Sequence, residues 1–378
     1  MSALVKVGVI GAGLIADFAH LPGYRANGAE IVAVADVVES RANAAQKKFE
    51  VKKAFKDYHD LLALPEIQAV SVAVPNHLHA PIVLDALAAG KDVLVEKPMA
   101  LNLAEALAME DAAAKAGRVL MIGFNSRFRQ DVVKLRRLIQ AGDLGEVYFA
   151  STGYLRRRGY PSGWFTVKAE SGGGPVVDIG IHVMDFTRYL VGSPLPVSVV
   201  AKTARKFGAC PVEDGVWQSS DVREGLRDGS TFDVEDFATA WIRFDNGFIM
   251  TLETAWTANL ARDRIYSNLL GTKAGAAIDS YHPIHKKGQE AASVEAVDVY
   301  TEVQGMVADL ALPYHANDSH SAEISHFLAV VEGREAPLIT PRDGVVMQAI
   351  LDGIYRSAEA SGEVPIQLQA TAAVSLKK

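Results

Sequence analysis

GVIGAGLIAD, residues 8–17, decides how the chain begins to fold. It joins an apolar run of strand character, LVKVGVIGAG, to a helical pattern over residues 16–27. Within it lies G-x-G-x-x-A at Gly11, Gly13 and Ala16, and the strand-to-helix setting gives that spacing its meaning. Gly11 allows a tight turn, Gly13 lets the backbone approach a pyrophosphate, and Ala16 permits close packing of helix on strand. Gly11, Gly13, Leu14 and Ile15 are therefore expected at a dinucleotide, with the unpaired N–H groups of the helix N-terminus facing its phosphates. A glycine triplet alone also opens helices that bind nothing. Asp36 separates the two readings: it ends the second strand, EIVAVAD (residues 30–36), at about the 20-residue offset of a ribose-binding acid. A carboxylate there accepts bonds from a free 2′-hydroxyl and repels a 2′-phosphate, so NAD is favoured. Arg41 partly offsets that repulsion and keeps NADP possible.

Composition narrows the remaining classes. A chain of 378 residues is long for one core, so two domains are expected. Its formal charge of −7 leaves no basic excess to meet phosphates, which argues against a nucleic-acid partner. The basic cluster LRRRG (residues 155–159) is too short to change this, and reads as a loop wall or a site for an anionic or hydroxylated ligand. Cys210 is the only cysteine, so neither an intrachain disulfide nor a cysteine-based zinc site is available. No apolar run approaches the roughly 18 residues of a membrane span. The apolar N-terminus has no basic flank or cleavage-like site, so it reads as a strand rather than a signal peptide, and a cytoplasmic protein is expected.

Strand and helix patterns alternate through the first third, the mark of βαβ units. Strands are expected at residues 69–75 (AVSVAVP), in DVLVEKP and in RVLMIGF, with Gly117 closing an alanine-rich helix. Beyond Asn125 the texture changes to alternating runs such as VEDFATAWIRF and FIMTLETAWTA, joined by an Asn-Gly hairpin in residues 244–249. The fold expected is α/β: an N-terminal Rossmann doubly wound parallel sheet (residues 1–124), then a C-terminal α/β domain with a large open, mainly antiparallel sheet (residues 125–378). Two closing helices are placed to pack back on the first domain.

Ligands gather at the C-terminal ends of strands in such a sheet. VPNHLHA puts Pro75, Asn76, His77 and His79 there, and VEKPMA puts Glu96, Lys97 and Pro98. A lysine at a nicotinamide pocket can stabilise a developing alkoxide, whereas a solvated loop lysine is the plain alternative. Farther on, GGGPVVDIGIHVMD (residues 172–185) carries Asp178, His182 and Asp185, which share one face if the stretch is helical. Its glycines suggest a backbone brought close to cofactor or substrate. A metal site would need a third ligand, with His79 or His20 as distant candidates, and a nearby lysine argues against it. Asp185 reads as structural.

The glycine loop, Asp36, VPNHLH, EKP and D-x-G-x-H occur in that order, and together they resemble the glucose–fructose oxidoreductase/inositol dehydrogenase/rhizopine catabolism (Gfo/Idh/MocA) oxidoreductase family over essentially the whole chain. The resemblance implies a Rossmann domain followed by a substrate domain whose open sheet mediates homodimers or homotetramers. It also implies sugar or cyclitol substrates and a catalytic group of Lys97, Asp178 and His182. In this reading His182 removes the hydroxyl proton, Lys97 stabilises the alkoxide, and Asp178 holds the hydroxyl or tunes its neighbours. Lys97 as the acid–base itself remains the alternative.

Cofactor contacts are further expected from Pro75, Asn76, His79, Glu96, Lys97 and Asn125. Substrate contacts are expected from Arg127, Tyr154, Arg158 and Trp164, beside Lys97, Asp178 and His182. Aromatic faces and guanidinium donors suit a polyhydroxylated ring. His315 and His320 precede a closing helix and read as loop and cap residues. No metal is expected. The function indicated is NAD(P)-dependent oxidation of a secondary hydroxyl of a sugar or cyclitol. The alternatives are a glycoside-cleaving enzyme that retains NAD through transient oxidation, and a non-catalytic dinucleotide sensor.

Overall fold

A computed structural model describes residues 4–161, 163–208, 231–280 and 295–369. Cys210 lies outside the described residues. The chain divides into two compact units: Met1–Asn125 with Asp318–Gln348 and Leu368–Lys378, and Ser126–Asn317 with Ala349–Gln367.

Six parallel strands form the sheet of the first unit: β1 (Lys6–Ile10), β2 (Glu30–Ala35), β3 (Lys53–Phe55), β4 (Ala69–Val72), β5 (Asp92–Val95) and β6 (Leu120–Ile122). Their order, β3-β2-β1-β4-β5-β6, is that of the doubly wound nucleotide fold. Val7, Val9, Val34, Val70, Val72 and Val93 are wholly buried, as expected of parallel strands covered on both faces. Strand order reverses between β1 and β4, so the loops after these two strands meet at the switch point where such folds bind ligands. The edge strand β3 is only three residues long, and its sequence KAF gives no alternation to read.

Helix Ser319–Val331 also belongs to this unit and packs on Leu21–Ala26. Asn27 Nδ2 donates to the Ser321 carbonyl at 3.1 Å. A Cβ on Gly23 would stand 2.5 Å from Ile324 Cδ1, so the two helices approach closely at this glycine.

Nine strands make the second sheet: β7 (Val147–Leu155), β8 (Pro196–Ala204), β9 (Phe237–Phe244), β10 (Ile249–Ala255), β11 (Arg264–Gly271), β12 (Gly275–Ser280), β13 (Glu295–Val303), β14 (Met306–Tyr314) and β15 (Val364–Pro365). All neighbours are antiparallel except β7 and β10, in the order β14-β13-β12-β11-β7-β10-β9-β8-β15. Period-two alternation buries Ala238, Ala240, Ile242 and Phe244 of β9, while Trp241 faces out beside Val200 of β8. The hairpin expected at Asn246-Gly247 joins β9 to β10.

The inner face is covered by helix Ile181–Leu190. Thr187 Oγ1 meets Ser267 Oγ at 2.9 Å and donates to Thr152 Oγ1 at 3.3 Å, fixing the helix across β7 and β11. The end of that helix is closed by Arg136, whose Nη1 donates to the Leu190 carbonyl at 2.7 Å.

Candidate functional site

In the first unit, Gly11 has φ +95°, and a Cβ there would lie 2.2 Å from the Ala73 carbonyl oxygen. Its place is dictated by the close approach of the β1 and β4 loops. Gly13 differs: a Cβ there would meet nothing within 4 Å, so its open side faces free space beside a helix N-terminus. Ala16 is fully buried under the helix. Asp36 Oδ2 accepts from Ala12 N and Oδ1 from Val38 N, both at 2.8 Å. The acid is thereby fixed against the glycine loop. Leu14 and Val37 stand exposed around it, and Arg41 is exposed on helix Glu39–Phe49. An open glycine cradle, a helix N-terminus and an acid fixed at the end of β2 have the chemistry to hold a dinucleotide.

The first helix begins with a π-helical turn, Ala16–His20, running into Leu21–Ala26. Such turns hold one more residue than an α-turn and occur often at functional sites. Here the turn carries the buried His20, which no periodicity signalled. His20 Nδ1 pairs with Ser71 Oγ and Nε2 with Glu96 Oε1, each at 2.9 Å. Tyr24 joins the same Ser71 hydroxyl at 2.6 Å. Burial opposes ionisation of Glu96, but the hydrogen bond and charge of His20, with the charges of Lys97 and His320, outweigh it and hold the carboxyl at about 2. Lys97 N donates to Glu96 Oε2 at 3.3 Å, so the carboxylate is built into the E-K-P turn.

His79 corrects the sequence reading. It is fully buried, with Nδ1 at 2.8 Å from the Pro98 carbonyl and Nε2 at 2.9 Å from that of Val74. Burial lowers its pKa, against the pull of these two carbonyls. His79 ties the end of β4 to the E-K-P turn and has no face left for a cofactor. Pro75 and the buried Asn76 begin the short turn Asn76–Leu78 after β4. Asn125 is nearly buried after β6 and donates to Ser319 Oγ at 3.1 Å.

In the second unit, residues Val176–Gly180 form another π-helical turn, leading into helix Ile181–Leu190. The three polar groups of this stretch go to different places. Asp178 Oδ2 accepts from the Trp256 indole at 2.8 Å and lies 3.8 Å from Arg156 Nη1. His182 is half-buried one turn on. Asp185 is fully buried, receiving Arg127 Nε at 2.9 Å and Nη2 at 2.6 Å. Arg127 is therefore not the substrate residue expected: only 1% exposed, it is committed to Asp185 and lies over the Tyr189 ring.

Trp256, which holds Asp178, lies in an aromatic cluster. Tyr154, Tyr160, Phe165 and Phe232 pack on a small core of Ile179, Val234 and Trp256. Trp164 stacks on Phe165 at 3.8 Å between centroids. Arg156 lies over the Tyr154 ring, whereas Arg158 is tied to the Ala258 carbonyl and to Asn259 Oδ1. Trp256, missed in sequence, sits in a strand-like run that marks it only as core.

The glycines before Asp178 also have a different cause from the one expected. A Cβ on Gly173 would stand 1.8 Å from Tyr355 Oη, and one on Gly174 would stand 2.0 Å from the Glu235 carbonyl oxygen. They make room for protein rather than ligand. Among the described residues, no group of three or more His, Cys, Asp or Glu side chains could hold a metal ion, and no helix is long and apolar enough to cross a membrane.

Residues 5–124 match the oxidoreductase family with an NAD-binding Rossmann fold, and residues 132–277 match the GFO/IDH/MocA C-terminal domain. The chain is 34% identical over 370 residues to D-glucoside 3-dehydrogenase of Escherichia coli (strain K12), covering 97% of this chain and 98% of that one. It is 26% identical over 342 residues to scyllo-inositol 2-dehydrogenase (NAD(+)) of Bacillus subtilis (strain 168), covering 90% and 89% of the two chains. In fold it resembles levoglucosan dehydrogenase solved with NADH, at a TM-score of 0.79 and 24% identity over 97% of this chain and all of the other.

Proposed function

The chain belongs to the Gfo/Idh/MocA family of NAD-binding oxidoreductases, and from that membership we propose that it oxidises a secondary hydroxyl of a sugar, glycoside or cyclitol. The full-length relationship to D-glucoside 3-dehydrogenase carries this reading, because it spans both units.

In the proposal the Gly11–Gly13 loop and Asp36 hold NAD. NAD bound there would supply the hydride acceptor needed to oxidise the alcohol to a ketone. Lys97, Asp178 and His182 form the catalytic group. His182 takes the hydroxyl proton, since an imidazole is suited to proton transfer near neutrality. The ammonium of Lys97 stabilises the alkoxide as the proton leaves. Asp178, steadied by Trp256 and Arg156, orients the hydroxyl. Tyr154 and Trp164 offer apolar faces to the ring. A cytoplasmic setting completes the proposal, with a homodimer or homotetramer built on the open sheet, whose outer face shows Val200 and Trp241.

The test is a panel of inositols, free aldoses, sugar acids and glycosides, with NAD and with NADP, followed by cofactor absorbance and product chromatography. NADH formed with a keto product supports the dehydrogenase. Glycoside cleavage without net NADH would replace it with the NAD-retaining hydrolase. Lys97→Ala and His182→Ala should each abolish turnover while NADH still binds; equal loss of binding in both would refute their assignment.

A further inference from the structure

Glu235 lies just before β9, buried, and reaches to the start of the turn that carries Asp178. Its Oε1 accepts from Gly174 N at 3.0 Å, Val176 N at 3.2 Å and the Tyr355 hydroxyl at 3.0 Å. Its Oε2 lies 3.0 Å from the same Gly174 N. Residue 175 is a proline, so these are the two N–H groups the chain offers on either side of it. Helix N-termini leave such donors without helical partners; burial raises the Glu235 pKa, against the opposing pull of the Gly174, Val176 and Tyr355 donors. Asp178 N bonds the Gly174 carbonyl at 3.0 Å, so the capped residue is directly tied to the acid.

The next residue holds the other side of Asp178. The Asp236 carbonyl accepts from Trp256 N at 3.0 Å, and the Trp256 indole donates to Asp178. One dipeptide therefore fixes both the helix that carries Asp178 and the ring that orients it. Gly173 and Gly174 leave no room for a side chain against Tyr355 and Glu235, so the turn is clamped from both sides.

We propose that Glu235, braced by Tyr355, is the positioning residue of the Asp178–His182 turn, aiming both side chains without touching substrate. The inference rests on the dehydrogenase reading for its effect on rate. Misplacing reacting groups by about 1 Å can cost roughly 100-fold. Glu235→Gln keeps the volume and one acceptor oxygen but puts an N–H donor where Oε2 faces Gly174 N; Tyr355→Phe removes only the brace.

Both variants are to be made in the full-length protein and assayed well below their melting points. The expected result is a fall in kcat of about 10–100-fold for E235Q and a smaller fall for Y355F. KM for the sugar and the Kd for NADH should stay within about twofold of wild type. The Trp256 indole N–H resonance, assigned with Trp256→Phe, should move in both variants, since it reports the position of Asp178. Wild-type kcat in both variants, or an unmoved indole resonance, overturns the proposal, as does a rate loss that only follows weakened NADH binding. A wild-type protein inactive on every sugar would refute the dehydrogenase reading instead. The indole resonance would then decide the positioning by itself: shifted in both variants it upholds the clamp, unshifted it removes it.

Discussion

Replacing Arg127 with methionine would separate a buried structural role from a substrate-binding one. Both side chains of the Arg127–Asp185 pair are 1% exposed, and the guanidinium meets the carboxylate through two nitrogens. Methionine fills much of the volume but leaves the Asp185 carboxylate buried without this partner. Removing one member of such a pair costs about 3–5 kcal/mol. At about 2–4 °C per kcal/mol for units of ~150–250 residues, melting should fall by roughly 6–20 °C. Scanning calorimetry on the apoprotein measures this directly. The double variant Arg127→Met with Asp185→Leu should recover most of the loss, because no isolated charge remains. Assayed well below melting, R127M should keep the sugar KM within about twofold. Wild-type melting together with a KM raised several-fold would refute this reasoning and return Arg127 to the substrate.

Gly11 and Gly13 should fail in opposite ways. Gly13→Val should leave apoprotein melting unchanged but remove the stabilisation given by saturating NADH, which follows from binding alone. Gly11→Ala should lower apoprotein melting, since its Cβ would meet the Ala73 carbonyl. Reversed outcomes in the two melts would show that the cradle is misread. Glu96 should leave an acid signature. Its folded pKa, about 2, lies below the ordinary 4.5, so its contribution is present above about 4.5 and is lost as pH falls toward 2. His20→Ala should weaken that depression, so stability measured by urea unfolding should depend less steeply on pH between about 5 and 2. An unchanged pH slope would show that His20 does not set the Glu96 charge.

Much of the fold was legible because parallel and antiparallel sheets leave different textures in sequence. Valine-rich runs marked β1, β2, β4 and β5, and alternation marked β9 and β10. The three-residue β3 carried no period to detect. The tight turn at Gly11, the acid ending β2 and the helical stretch carrying Asp178 and His182 were legible because spacing along one or two neighbouring elements reveals them. Functions fixed by contacts distant in sequence were not. His79, Arg127 and Gly173 were read as facing ligand, yet their partners are Pro98, Asp185 and Tyr355. A polar side chain near a motif looks the same in sequence whether it turns toward a ligand or into the protein. Trp256 and Glu235 escaped notice for the same reason, each lying more than 55 residues from the segment it holds.

Two helices begin with a wide turn, Ala16–His20 and Val176–Gly180. A wide turn is a one-residue insertion accommodated without ending the helix. Relatives that lack it would align with a single gap inside a helix, and an alignment that moved the gap to a neighbouring loop would slip His20 or Asp178 by one position. Shortening either turn by one residue would tighten the helix into regular α geometry while rotating these side chains away from Ser71 or Trp256. In this chain, then, the irregularity is an address label: it marks where residue-by-residue transfer of roles between relatives must be done on geometry rather than on count.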